Sequence, residues 1–351
     1  MTAALRILSG LGGKQPAAFL LDTEQGRLLI EAGGPLEPGL PCDWEWPQDR
    51  PVDAVVISHD HVDHMGAIDR VPKGTPVYAT EPVAAALPAG IEHCVLPLQG
   101  ELEMLGLRVR TGQAGHSLGG VWLHFDVGDG LFYSGDFSTE STLFRFDTPP
   151  DAELTLLDAS YGLYDQPLNQ CREELLTHLN TPTLLPVPAS GRALEMALWL
   201  EEKDIDWSMD DLCLQQLARM QSMPASCFQP GVFDRLKRLQ PSSTLAQSQV
   251  ALVGRPEGIG EDIEQLISSG QRQVIYTGYL PPKAQRDVAE GRARWLRWNV
   301  HPRCSDLQRL AQQIQAKRVI PLFTSLTERQ QWQRALDPCL FIPTTDEIQL
   351  S

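Results

Sequence analysis

Residues 17–22 and 27–34 are apolar runs of strand length separated by a turn at Gln25-Gly26, a pattern that predicts a hairpin opening a sheet. Residues 52–57 form a β-branched run of buried-strand type, after which Met65-Gly66-Ala67-Ile68 turns helical in character. A strand pair is predicted across 121–132, turning at Gly128-Asp129-Gly130, and a further strand over 155–158. From residue 184 the order is strand, helix, strand. Ala193, Met196, Ala197 and Leu200 share one apolar helical face, Arg192 and Glu195 are spaced to pair along it, and strand-like runs return at 250–253 and 273–279. Between 205 and 241 the period weakens while proline, serine and glutamine accumulate, as in a loop-rich segment. A helix over about 305–316 and a strand over 317–324 complete a pattern that predicts a large α/β domain carrying a small α/β insert.

One stretch asks for chemistry rather than packing. Ser58-His59-Asp60-His61-Val62-Asp63-His64 sits where a predicted strand ends and a helix begins. Three imidazoles and a carboxylate within six positions suit zinc and similar divalent ions, and four such donors are enough to begin two adjacent sites. Other histidines carry less. His124 falls mid-strand and reads as a sheet residue, whereas His93 and His178 have no motif around them.

Composition bounds the partners. The 351 residues suffice for one large core or two ordinary ones, and the seven cysteines are scattered without a Cys-x-x-Cys pair, so neither a disulfide framework nor a thiolate zinc knuckle is indicated. No apolar run reaches membrane-spanning length and residues 5–10 are too short for a signal peptide, which predicts a cytoplasmic protein with no membrane partner. A net charge of -16 repels polyanions at long range, yet residues 271–320 hold ten basic side chains against three acidic ones. Within them Arg292-Ala293-Arg294-Trp295-Leu296-Arg297-Trp298 interleaves guanidinium and indole. That suits phosphate contact and base stacking, or equally a strand with its indoles inward and its arginines solvated.

The run at 59–64 resembles the His-x-His-x-Asp-His signature of the metallo-β-lactamase superfamily. Gly115-His116-Ser117 is similar to its next ligand loop, Tyr133-Ser134-Gly135-Asp136 to the strand end carrying its bridging aspartate, and residues 31–34 to its early strand, with Glu31 in a neighbouring role. Leu157-Asp158-Ala159 resembles motif A of the β-CASP nuclease branch (RNase J, Artemis and the cleavage-and-polyadenylation endonuclease). Gly191-Arg192 with Glu195, Thr277-Gly278-Tyr279 and Trp298-Asn299-Val300-His301 resemble its cap entry, Gly-Tyr step and motif B. Two departures stand out. Arg303 replaces the usual aspartate two residues after His301, and Phe323 stands where motif C ends in a metal-binding histidine.

The resemblance implies an αββα metallo-β-lactamase sandwich from 1–180 and 291–351, with a β-CASP-like cap inserted over 181–290. It implies two zinc ions: His59, His61 and His116 hold the first, Asp63 and His64 the second, and Asp136 bridges them, with the second site weakened or emptied by Phe323. It implies cleavage of phosphodiester bonds in RNA or single-stranded DNA by a metal-activated hydroxide. Asp63, Asp158 and His301 are the catalytic residues, and Gly191, Arg192 and Tyr279 touch a strand lying between domain and cap. Competing expectations are a small-ester or thioester hydrolase and a catalytically weak binding scaffold. A homodimer or a protein partner is compatible with either.

Overall fold

The computed structural model describes residues 3–37, 40–241, 244–256 and 261–350. They form two compact units, one of residues 1–139, 146–165 and 301–351, the other of 140–145 and 166–300. The insert expected over 181–290 lies within the second unit, which also takes in the helix Leu168–His178.

The first unit is built on two sheets. The seven-stranded one runs Glu347–Leu350, Ala3–Ser9, Ala18–Thr23, Arg27–Ile30, Ala54–Val56, Val77–Thr80, His93–Leu96, and the six-stranded one runs Arg318–Leu322, Leu154–Asp158, Leu131–Tyr133, Val121–Phe125, Leu107–Gln113, Gly100–Met104. Their facing sides share one core, in which Leu5, Phe19, Leu21 and Val56 meet Val109, Leu123, Tyr133, Leu156 and Ile320. Alternation explains the rest: the other faces need cover, so Leu20, Leu29 and Val55 pack with Met65 and Ile68, while Phe132, Leu157 and Val319 pack with Leu307, Leu310 and Trp332. This is the αββα sandwich.

The sandwich positions chemistry at strand ends. Leu131–Tyr133, Leu154–Asp158 and Arg318–Leu322 are mutually parallel neighbours, so Ser134–Asp136, Asp158 and Phe323 all emerge at the same edge of that sheet. The Ser58 carbonyl accepts from the Val121 N–H at 3.0 Å, tying the end of Ala54–Val56 to the same edge.

The second unit is a parallel sheet in the order Trp207–Met209, Val250–Val253, Thr183–Pro186, Gln273–Tyr276, Arg294–Trp295. Two expectations need correction here. The segment 205–241, read as loop-rich, contains the strand Trp207–Met209 and the helices Asp211–Gln221 and Val232–Arg238. Cys213, Leu217 and Met220 supply a buried stripe at helical spacing, and the Asp210 carboxylate caps the first helix by accepting from the Cys213 N–H at 3.0 Å; the intervening polar residues had masked that stripe. Residues 298–301, which the motif B resemblance puts at a strand end, lie beyond the last ladder pair, Tyr276 with Trp295, in coil held by the Trp298 N–H donating to the Thr277 carbonyl.

The replaced motif residue Arg303 has a structural task. It is the N-cap of the helix Cys304–Gln313, where the Asp306 carboxylate accepts from the Arg303 backbone N–H at 2.9 Å and from its guanidinium at 3.0 Å. Burial opposes ionisation of Asp306, but Arg303 outweighs it and holds the carboxyl below its ordinary range. A depressed carboxyl stabilises the fold above its unfolded pKa and loses that contribution as pH falls through the folded value. Asp306→Ala is therefore expected to cost about 2 kcal/mol at neutral pH, with a deficit that shrinks on acidification, as read by urea unfolding at pH 7 and pH 3.

Candidate metal centre

Four chain segments deliver the cluster. His59 and His61 follow Ala54–Val56, Asp63 and His64 lie in the short helix Val62–Met65, His116 is in the loop after Leu107–Gln113, and Asp136 follows Leu131–Tyr133. Backbone bonds clamp the short helix against the hairpin. The Ala17 N–H donates to the Asp63 carbonyl at 2.7 Å, the Ala32 N–H to that of His64 at 2.9 Å and the Gly34 N–H to that of Val62 at 2.8 Å. Gly33 permits this approach, because a Cβ there would stand 2.1 Å from the Asp63 carbonyl oxygen.

Donor atoms of His59, His61, His116 and Asp136 all lie within 4.8 Å of one another, as do those of Asp63, His64 and Asp136. The Asp136 carboxylate is divided between the two groups. Its Oδ2 lies 3.7 Å from His59 Nε2 and 3.6 Å from His116 Nε2, whereas Oδ1 lies 3.2 Å from His64 Nε2. His116 Nε2 also approaches His61 Nδ1 to 3.2 Å. Glu31 stands behind them, fully buried, accepting from the Ser58 N–H at 3.2 Å and facing His64 Nδ1 at 3.4 Å.

These residues fit a divalent ion. His59 Nε2 is buried without a hydrogen-bond partner, a costly state that a cation relieves. Imidazole nitrogens with one carboxylate oxygen also match the tetrahedral preference of zinc. Burial, reinforced by the neighbouring imidazoles, pushes His59 well below its ordinary range, and burial lowers His61, so both offer lone pairs rather than protons. Burial would lower His64 as well, but the Asp136 carboxylate outweighs it and raises that pKa. For Asp63 burial opposes ionisation, yet the Lys14 ammonium 3.1 Å away outweighs it and brings the carboxyl down to about 2.

Beside the cluster stands a dyad. His301 Nδ1 is 2.8 Å from Asp158 Oδ2 and 3.7 Å from Asp136 Oδ2, and its ring lies 4.7 Å from that of His116 and 5.1 Å from that of Tyr161. Asp158 is fixed in turn, its Oδ1 accepting from the Ser160 N–H at 2.9 Å. Two further expectations resolve simply: His124 is a buried sheet residue facing the Asp151 carbonyl, and Phe323 is buried with its ring edge-on to His64.

In the second unit, Gly191 and Arg192 follow the strand Thr183–Pro186 and Tyr279 follows its parallel neighbour Gln273–Tyr276. Arg192 reaches so close to Gly278 that a Cβ there would meet its Nη1 at 2.0 Å, which brings the three residues to one carboxyl edge of the sheet. Tyr279 is 56% exposed. Glu195 accepts from the Thr142 N–H and hydroxyl and from the Trp298 indole at 3.0 Å. The basic stretch divides. Trp298 is buried against Trp199, while Trp295 is partly exposed with the Arg297 guanidinium 4.9 Å over its ring.

Sequence reasoning missed Lys14. Its only signal was a lone cation in the glycine-rich loop Gly10-Leu11-Gly12-Gly13, and nothing in the spacing ties residue 14 to residue 63.

Residues 11–177 match the model of the metallo-beta-lactamase superfamily. Those residues carry a domain of that superfamily. The chain is 28% identical over 249 residues to a transcription termination factor FttA from Cenarchaeum symbiosum, an alignment covering 56% of this chain and 39% of the relative. To an RNase J-like protein from Methanocaldococcus jannaschii it is 28% identical over 214 residues, covering 51% and 49%. The chain thus spans half or less of the length of these curated relatives. A solved structure, a protein of unknown function from Enterococcus faecalis V583, superposes with a TM-score of 0.65 over 99% of both chains at 13% identity, a likeness of fold. Among the described residues no helix is long and apolar enough to cross a membrane.

Proposed function

We propose that this chain is a zinc-dependent phosphodiesterase that cleaves RNA. The observation that carries the reading is the convergence of His59, His61, His116 and Asp136 beside the His301–Asp158 dyad. The RNase J-like and FttA relatives support RNA as the polymer. His59, His61, His116 and Asp136 would hold the ion, which when bound polarises water and the phosphoryl oxygens.

The remaining work falls to the protein. Asp158 accepts a hydrogen bond from His301 Nδ1–H, fixing the ring so that Nε2 hands a proton to the leaving oxygen. Asp63 keeps its negative charge and orients Lys14 toward the phosphoryl group. Arg192 and Tyr279, placed by Gly191, contact the strand through phosphate and base stacking respectively.

Purified protein stripped with chelator is expected to lose cleavage of labelled RNA and to recover it on addition of zinc. Single-stranded DNA and a thioester run in parallel distinguish the alternatives. Absence of RNA and DNA cleavage in both the zinc-loaded wild type and Phe323→His would sink the nuclease reading, and turnover of the thioester instead would establish a small-substrate hydrolase.

A further inference from the structure

The Asp63 side of the cluster already holds a cation. Lys14 Nζ lies 3.1 Å from Asp63 Oδ2 and 3.3 Å from Ser160 Oγ, and 5.4 Å from the centroid of the Phe323 ring. Asp63, His64 and Asp136 offer three donors there, one of them borrowed from the carboxylate that also serves the His59 side. Phe323 adds none. Its ring centroid is 5.3 Å from that of His64, so the position facing this half of the cluster is filled by carbon.

Resting on the metal-centre reading above, we propose that the centre takes a single divalent ion on the His59, His61, His116 and Asp136 side, with the Lys14 ammonium standing in for a second ion on Asp63. Charge and ligand count argue together. A divalent ion on Asp63 would meet a fixed positive charge at contact distance, and three shared donors leave it poorly coordinated. The ammonium needs only hydrogen-bond acceptors. Asp63 and Ser160 supply two, leaving a third N–H to donate to an anionic substrate oxygen such as a phosphoryl oxygen. The lysine and the phenylalanine are complementary on this view: the aromatic face tolerates an ammonium beside it and offers a metal nothing.

Metal counting by plasma mass spectrometry tests this without reference to activity. After equilibration with excess zinc and desalting, the wild type is expected to retain one ion per chain and the Lys14→Ala/Phe323→His double variant to approach two. Two ions in the wild type, or one in a folded double variant, would overturn the role given to Lys14 while leaving the metal centre standing. No ion in the wild type would remove the metal-centre reading itself. Should the double variant fail to fold, zinc anomalous scattering from wild-type crystals decides, since density beside Asp63 excludes the ammonium from that place.

Discussion

Asp136→Asn is expected to abolish RNA cleavage, with kcat/KM falling by about 10³-fold or more, because several kcal/mol of charge stabilisation depend on the ion this carboxylate helps hold. Asp136 faces both halves of the cluster, through Oδ2 toward His59 and His116 and through Oδ1 toward His64. The amide keeps the shape but offers one neutral oxygen and an NH2 group that repels a cation. Zinc content should therefore fall well below one per chain together with activity. Loss of activity with full metal content would contradict the assignment. Far-ultraviolet circular dichroism checks the fold, since the substitution removes a buried charge and leaves the surrounding strands untouched.

His301→Gln is expected to have the second largest effect, lowering kcat on RNA by about 10²- to 10⁴-fold while zinc content stays unchanged. The basis is geometric, since the ring stands 2.8 Å from Asp158 and 3.7 Å from Asp136 Oδ2, close enough to serve the reacting phosphate without being needed to hold the ion. A p-nitrophenyl phosphodiester separates the roles. Its leaving group needs no proton, so the variant should lose far less activity on that substrate than on RNA. Equal losses on both would assign His301 to positioning rather than proton transfer. Asp158→Asn should follow the same pattern more weakly, by about 10- to 100-fold, because it acts through the orientation of the ring.

Much of the site was legible because its donors come as local signatures. Residues 59–64 declare a metal cluster by type and spacing, and His116, Asp136 and Asp158 sit where apolar runs end, so a reader of strands expects them at an edge. Other features were not legible for physical reasons. The helix Asp211–Gln221 hid behind a narrow buried stripe, and the segment before His301 has the composition of a strand but runs past the last ladder pair at Trp295. Arg303, conspicuous as a replaced motif residue, proved to be a helix cap.

The amino-acid order by itself determined the donor inventory and the pattern of strands and helices that reads as a large α/β domain with a small α/β insert. Only the tertiary structure decided which donors share a pocket, that Asp136 divides its oxygens between two groups, and that Lys14 rather than any histidine after residue 301 meets Asp63. The reason is distance along the chain. A helix or strand period is written in neighbouring residues, whereas the meeting of residue 14 with 63, or of 158 with 301, is set by which strands lie side by side in the sheet and where each one ends.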